Sequence, residues 1–144
     1  MKAAAIIAEL GLVRHPEGGW YVQTFEGAPG PDGRARSTAI YFLLEAGQVS
    51  HWHRVDAVEI WHWHAGAPLE LRIAASGGVE TGILGVDLAA GQRPQAIVPA
   101  HAWQSARSQG EWTLVSCTVA PGFRFEGFEL AAPGWEPVGF TKPA

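Results

Sequence analysis

Short extended segments separated by Gly and Pro make up almost the whole chain after residue 11. The 18 glycines and 10 prolines lie between apolar segments and do not gather in one linker. Residues 2–10 alone combine strong helix formers with apolar positions three and four apart, and Gly11 can end that helix. Ser37–Leu44 is rich in β-branched and aromatic residues, as deeply placed strands are. Many short strands after one terminal helix predict an all-β sandwich or barrel.

The composition narrows the class of protein. With 144 residues, 47% of them hydrophobic and 17% charged, the chain is expected to form one globular domain. The formal charge of −4 comes from interspersed acidic and basic residues, so we expect neither a nucleic acid nor a membrane surface as partner. No apolar run reaches the roughly 18 residues that span a bilayer, and no secretory signal is recognisable. These features predict a cytoplasmic protein, in which the single Cys117 is a small core residue.

Residues 47–66 contain the densest group of chemically versatile side chains. Four of the six histidines lie between positions 51 and 64. His51 and His53 are one residue apart, so in a regular strand both imidazoles project from the same face. Glu59 follows at a distance that allows a returning strand to bring its carboxylate opposite the pair. Two nitrogens and one oxygen suit a divalent transition metal, although histidines at half-buried strand positions often have no ligand role.

A second stretch, 99–104, contains two further candidates. Pro99 ends a strand, and after it the side chain of His101 or Gln104 could point back toward His51 and His53. In the plainer interpretation, His101 is a turn residue and Gln104 is solvated. On the residues alone, the plainer interpretation is favoured.

Together the two stretches resemble the two motifs of the cupin superfamily. Gly47, His51, His53, Glu59 and Gly66 fit the first motif, with a slightly long gap between the histidines and the glutamate. In the second motif, Gly91 and Pro99 fit, whereas His101 stands where the motif has Gly and Gln104 where it has the third metal-binding His. The chain is most similar to the small cupin-5 branch, known as a domain of unknown function, through stretches such as His-Pro-Glu-Gly-Gly at 15–19.

The resemblance implies a double-stranded β-helix, or jelly roll, over about 18–131. A short helix would precede it at 2–10 and an irregular tail would follow at 132–144, all in a single cupin domain. Members of the superfamily are commonly dimeric and bind ligands inside the barrel. We therefore expect a homodimer that binds a small polar molecule.

The resemblance also implies a set of metal ligands. His51, His53 and Glu59 would hold a divalent ion such as Ni, Zn, Fe or Mn, and Gln104 would add a weaker neutral oxygen. His101 is the reserve candidate for the missing imidazole. Because imidazole is the better ligand for late transition metals, a partly filled or empty site is the alternative expectation.

Other side chains are expected around this pocket. Strand parity places Trp61 and Trp63 on the face of Glu59, where they would narrow the pocket, and puts His62 and His64 on the opposite face. Trp103 is a pocket wall or a core residue. Arg54 would pair with a substrate carboxylate or with a surface acid. Glu17 and Tyr21, from the loop of the first family stretch and the strand after it, are expected to reach the pocket and to act in catalysis with Glu59.

Three functions remain open at the level of sequence. The first is a metal-dependent cupin enzyme, such as an oxygenase, isomerase or lyase, with the ion as Lewis acid or oxygen activator. The second is a metal-free isomerase or epimerase in which His, Tyr or Glu moves protons. The third is a non-catalytic small-molecule-binding protein.

Overall fold

The structure, a computed structural model, describes residues 1–140 and consists of one helix and eleven strands. Residues 141–144, which belong to the predicted tail, lie outside the described part. The elements are α1 (Ala3–Leu10), β1 (Val13–Arg14), β2 (Trp20–Glu26), β3 (Thr38–Glu45), β4 (Val49–Val55), β5 (Val58–Gly66), β6 (Leu69–Ala75), β7 (Gly78–Leu84), β8 (Gln95–Val98), β9 (Trp103–Ser108), β10 (Trp112–Ala120) and β11 (Phe128–Leu130). Short 3₁₀ turns span Leu88–Ala90 and Phe125–Gly127.

The strands form two antiparallel sheets. One has six strands in the order β1-β2-β3-β10-β5-β8, and the other has five in the order β11-β4-β9-β6-β7. Strand β10 shows why they pack face to face, because its residues alternate between buried and half-buried from Trp112 to Val119. The predicted all-β jelly roll with a short N-terminal helix is therefore confirmed.

The main core lies between the sheets. Phe42, Leu44, Trp61, Leu71 and Val115 are among its almost fully buried members. Each such large apolar side chain contributes about 1.5–3 kcal/mol by leaving water.

Helix α1 covers the outer face of the six-stranded sheet. Its Ile6, together with Leu12, packs on Leu43 of β3. This explains why β3 is apolar on both faces, since one faces the barrel and the other faces the helix. Gly11 ends α1 in the left-handed conformation, with a φ of 67°. With its eight residues, α1 is the longest helix of residues 1–140, and no helix in that range is long and apolar enough to span a membrane.

The segment 131–140 folds back over the outer face of the five-stranded sheet without forming a helix or strand. Trp135 and Phe140 pack there against Trp52 and Trp103. This segment belongs to the tail that was expected to be irregular, and its aromatic side chains anchor it to the barrel.

Candidate active site

A small cavity lies between the two sheets. It is lined by residues of the 15–19 loop, of strands β2 to β5 and β10, and of the turn after β10: His15, Glu17, Tyr21, Thr38, Ile40, His53, Val55, Glu59, Cys117, Val119 and Phe123. Its volume of about 30 Å³ is room for little more than one or two water molecules. Half-buried Tyr21, Ile40 and Phe123 border it, whereas Glu17, His53 and Glu59 are buried. The cavity therefore brings polar side chains together in a largely apolar setting.

The loop 15–19 holds Glu17 in the cavity through its tight backbone turns. The amide of His15 donates to the carbonyl of Gly19 at 2.9 Å, and the amide of Gly18 donates to the carbonyl of His15 at 3.0 Å. Gly18 has a φ of 108°, and a Cβ atom there would collide with the backbone carbonyl of Val49. Only glycine fits this position without strain. The carbonyl of Glu17 in turn accepts from the amide of His51 at 2.8 Å.

Glu17 contacts three polar side chains. The Ser50 hydroxyl donates a short hydrogen bond to Glu17 Oε2. His53 Nε2 lies 3.5 Å from the same oxygen, and His15 Nδ1 lies 3.3 Å from Glu17 Oε1. Burial raises the pKa of Glu17 to about 8, although the Ser50 hydrogen bond works in the other direction. Glu17 is therefore mainly protonated at neutral pH.

Both imidazoles present a lone pair toward Glu17. His53 Nδ1 lies 2.8 Å from the carbonyl of His51, which can only accept, so Nδ1 carries the proton and Nε2 is left with its lone pair. His15 Nδ1 accepts from the backbone amide of Glu17 at 3.1 Å. Burial lowers the pKa of both rings, that of His15 to about 4 with a further contribution from the charge of His53. Two neutral imidazoles thus lie beside a protonated carboxyl group, and the lone pair of His53 Nε2 is free to accept from it, whereas that of His15 Nδ1 is used by the backbone amide.

Glu59, on β5, is the second buried carboxyl of the cavity. Gln104 Nε2 donates to Glu59 Oε1 at 2.8 Å. Burial raises the pKa of Glu59 to about 7, with the charge of Glu17 acting in the same direction and that of His53 opposing it. Cys117 also lines the cavity, and burial raises the pKa of its thiol well above its usual range. Cys117 is therefore a protonated core thiol and not a nucleophile.

The orientation of the Gln104 amide is fixed by Trp61. The indole Nε1, which can only donate, lies 2.8 Å from Gln104 Oε1. The amide oxygen is therefore occupied by Trp61, and the amide nitrogen must face Glu59. Gln104 cannot present a free oxygen to a metal ion from this position.

The predicted group of metal ligands is not assembled. Three steps along β4, from Ser50 to His53, match two steps along β9, from Ala106 to Gln104. This bulge turns Ser50 and His53 into the barrel and turns His51 outward, where its Nε2 lies 2.9 Å from the carbonyl of Ala132. The prediction that His51 and His53 share a face is therefore wrong. Among residues 1–140, no three His, Cys, Asp or Glu side chains are arranged to hold a metal ion. Of the four predicted ligands, only His53 and Glu59 bring a donor atom to the cavity, which is too few for the predicted divalent metal.

Three predicted pocket residues lie outside the barrel. Trp103 precedes inward-facing Gln104 on β9, so strand alternation turns its ring outward, where it stacks 4.6 Å from the ring of Trp135. Arg54 lies 4.7 Å above Trp103 and pairs with Glu129 at 2.5 Å instead of reaching the cavity. His101 is exposed in a turn with a φ of 68°. These positions contradict the prediction that His101, Trp103 and Arg54 line the pocket. They also contradict the prediction of His101 as the reserve metal ligand.

The remaining residues of β5 follow strand parity. Trp61 and Trp63 pack in the barrel core, but neither lines the cavity. His62 and His64 face outward, where their Nε2 atoms lie 3.0 Å from the Thr118 hydroxyl and 2.5 Å from the Ser116 hydroxyl. Trp61 thus acts on the cavity through Gln104.

Several cavity residues were not singled out by the sequence. Ser50 does not line the cavity but reaches Glu17 because of the β4 bulge, for which a single sequence offers no signal. His15 reaches the cavity because the turn that follows it brings residues 15 and 17 together. Its position two residues before Glu17 was the sequence signal that could have identified it. Thr38 and Phe123 line the walls, and nothing in their local pattern marks them.

Comparisons with known proteins agree with this architecture. The protein-family model Cupin_5, described as Cupin superfamily (DUF985), matches residues 4–131. The chain belongs to this cupin family. Among solved structures, a protein from Shewanella oneidensis is 40% identical with a TM-score of 0.88, over 92% of this chain and 85% of that one. A hypothetical protein from Leishmania major is 32% identical with a TM-score of 0.83, over 90% and 86%.

This cupin also shares its fold, at low sequence identity, with a more distant protein. Oxalate decarboxylase from Bacillus subtilis matches with a TM-score of 0.63 at 12% identity, over 81% of this chain and 29% of that one. One structure of that enzyme is described with Mn(II) centers. A search of curated proteins gives no match.

Proposed function

We propose that this cupin is a metal-free proton-transfer enzyme, an isomerase or epimerase that acts on a small polar carbonyl compound. The observation that carries the proposal is the meeting of two buried carboxyl groups and two neutral imidazoles in one cavity. Among residues 1–140, no Lys or Arg forms an ion pair with Glu17 or Glu59. Carboxyl groups placed in this way have pKa values near the operating pH, as general acids and bases require.

The two carboxyl groups would have opposite roles. Glu59, with a pKa of about 7, would take the proton from the carbon next to the substrate carbonyl. Glu17, with a pKa of about 8, would give its proton to the carbonyl oxygen, which yields a neutral enediol. Return of a proton to the neighbouring carbon, or to the opposite face of the same carbon, completes an isomerisation or epimerisation. His53 Nε2, 3.5 Å from Glu17, would relay the proton of Glu17.

The size of the cavity limits how the substrate binds. A volume of about 30 Å³ would admit only the reacting end of a ligand. The rest of the molecule would lie at the half-buried rim, where Tyr21 would contact a substrate hydroxyl. This arrangement favours a short, slender hydroxycarbonyl compound.

Exchange of carbon-bound hydrogen in D₂O tests the proposal. Short hydroxyaldehydes and hydroxyketones would be incubated with the protein, and deuterium at carbon would be followed by NMR. We expect incorporation with the wild type and a loss of at least 100-fold in Glu59→Gln and Glu17→Gln, because each removes one proton-transfer group. Glu26→Gln, at an exposed position, is the matched control and should keep full activity.

A second candidate uses the same cavity without turnover. Ile40, Val55 and Val119 make much of the lining apolar, which is typical of sites that only bind a ligand. Saturable ligand binding without deuterium incorporation in any compound would support this non-catalytic function and contradict the enzymatic one.

A further inference from the structure

A second and larger pocket lies on the outer face of the five-stranded sheet, beneath the segment 131–140. Its volume is about 320 Å³. Arg72 on β6 and Ser105 and Arg107 on β9 supply its basic and hydroxyl groups. These positions alternate with inward-facing residues such as Leu71 and Ala106, so β6 and β9 separate this outer pocket from the barrel interior.

Arg72 is a buried cation with only part of its guanidinium in use. The residue is 6% exposed, and its Nε donates to Glu70 Oε1 at 3.1 Å. The other oxygen of Glu70 accepts from Arg107 Nε at 2.8 Å. Burial works to raise the pKa of Glu70, but its hydrogen bonds to Arg107 and Arg72 hold it below the ordinary value. One carboxylate thus serves two guanidinium groups, and one positive charge is left over.

The terminal nitrogens of both arginines and the Ser105 hydroxyl have donors to spare. Within residues 1–140, neither the Nη atoms of Arg72 and Arg107 nor Ser105 Oγ hydrogen-bonds to another residue. Residues 1–140 also contain no fully buried side-chain nitrogen or oxygen that lacks a hydrogen-bond partner. All three residues line the outer pocket, where their donors can meet a ligand.

Aromatic side chains also line this pocket, from β4 of the same sheet and from the segment 131–140. Trp52 and Trp135 line the outer pocket, and the ring of Phe140 lies 5.1 Å from the guanidinium carbon of Arg72. Exposed Glu136 also borders the pocket but pairs with neither arginine. Basic donors next to aromatic rings suit a ligand with an anionic group beside an apolar body.

We propose that the outer pocket binds the carboxylate or phosphate group of a small organic molecule. The Nη groups of Arg72 and Arg107 and the hydroxyl of Ser105 donate to its oxygens, because the planar guanidinium matches both anions with paired hydrogen bonds. The aromatic side chains pack against the rest of the ligand. This site is separate from the proposed active site and does not depend on its chemistry.

Backbone-amide NMR titration with four probes tests the proposal. Benzoate and phenyl phosphate carry the two anions on a ring, inorganic phosphate lacks the ring, and benzyl alcohol lacks the charge. We expect saturable shifts centred on β6 and β9 with at least one of the ring-bearing anions, weaker binding of inorganic phosphate, and none of benzyl alcohol. The tighter of the two ring-bearing anions identifies the preferred group.

Substitutions decide whether the named donors are responsible. Arg107→Gln changes a side chain that is 40% exposed, so it should fold, and we expect it to weaken binding at least fivefold. Ser105→Ala should weaken binding at least twofold. Arg36→Gln, an equal charge change at an exposed position, should leave the affinity unchanged. Absence of saturable binding, shifts centred on the 15–19 loop, or equal losses in Arg36→Gln and Arg107→Gln would overturn the proposal.

Discussion

At the residue scale, the chemistry of the barrel depends on carboxyl groups that are buried without a cation. Glu17 meets the lone pairs of His15 and His53, and Glu59 meets the amide nitrogen of Gln104. Burial favours the protonated form of Glu17, although the hydrogen bond from Ser50 works in the other direction. The proposed acid and base are thus two side chains that would both be ionised in water.

The pH dependence of stability follows from these pKa values. The pKa of Glu17 is 4.5 ordinarily and about 8 in the fold, so between these values the folded state binds more protons and stability falls as pH rises. Glu59, at about 7, acts in the same direction. His15, lowered from 6.5 to about 4, acts oppositely but only below pH 6.5. From pH 6.5 to 8 we expect a loss of about 2 kcal/mol in the free energy of unfolding.

Urea unfolding at successive pH values measures this loss. Glu17→Gln should remove most of it, because glutamine does not ionise. Glu26→Gln, the exposed control, should keep it. A wild-type stability that stays level or rises across this range would contradict the assignment of protonated carboxyl groups.

Gln104 is the residue on which the hydrogen bonding of Glu59 depends. Gln104→Leu would leave Glu59 Oε1 and the Trp61 indole without their partner in a buried site. We expect a loss of about 2–4 kcal/mol in the free energy of unfolding, measured by urea denaturation. Gln109→Leu makes the same exchange in an exposed turn and should change stability by less than about 0.5 kcal/mol. Equal losses in the two variants would argue against the Glu59–Gln104–Trp61 chain of hydrogen bonds.

The sequence and the resemblance identified part of this site. They drew attention to Glu17, Tyr21, His53 and Glu59, all of which line the cavity. They could not reveal the orientation of Gln104, because it depends on an indole 43 positions away along the chain. Nor could they show that Arg54 and Trp103 stack on each other outside the barrel, since that contact joins different strands.

At the element scale, the bulge in β4 determines which side chains meet. It separates His51 from His53 and brings Ser50 to Glu17. The backbone of the bulge also holds the 15–19 loop, through the bond from the amide of His51 to the carbonyl of Glu17. Regular alternation, on which the predicted ligand pair rested, fails at such an irregularity.

The bulge leads to a prediction about metal binding. Because His51 points outward and the Gln104 oxygen is occupied, we expect far less than one ion per chain after incubation with Mn, Fe, Ni or Zn and removal of excess. Elemental analysis of protein purified without a metal-affinity step gives the measurement. A stoichiometric ion that disappears in His53→Ala would overturn the metal-free account.

The 15–19 loop should be sensitive to a single methyl group. Gly18→Ala would push the loop away from the Val49 carbonyl, and we expect a loss of about 3 kcal/mol or more in the free energy of unfolding. Gly33→Ala is the matched control, since Gly33 also has a positive φ, 84°, but has open space around it. It should cost about 1 kcal/mol. Similar losses in both variants would show that strain alone, and not the contact with β4, governs the loop.

At the scale of the whole molecule, the architecture was the most predictable feature. Gly and Pro residues between short apolar segments predicted the strands, and the family resemblance predicted the jelly-roll fold. What the sequence did not reveal is how segment 131–140 packs, because Trp135 and Phe140 find their partners on strands far away in the chain. That packing creates the outer pocket.

The expected homodimer also belongs to this scale. Ile97 on β8 is 59% exposed and lies beside half-buried Ile60 in the six-stranded sheet, so we propose that a second copy of the chain covers this face. Light scattering should give twice the chain mass, and Ile97→Glu should reduce it to the monomer because a charge would be buried in the interface. Val138→Glu, at an exposed position far from this sheet, should not. A monomeric wild type would disprove the dimer.

The most direct test of the central claim is a ¹³C NMR titration of the glutamate side-chain carboxyl groups, with resonances assigned from Glu17→Gln and Glu59→Gln. We expect Glu17 to titrate near pH 8 and Glu59 near pH 7. Titration of Glu17 and Glu59 near the ordinary value of 4.5 would contradict the proposal, because the cavity would then hold two ordinary carboxylates and no acid–base pair.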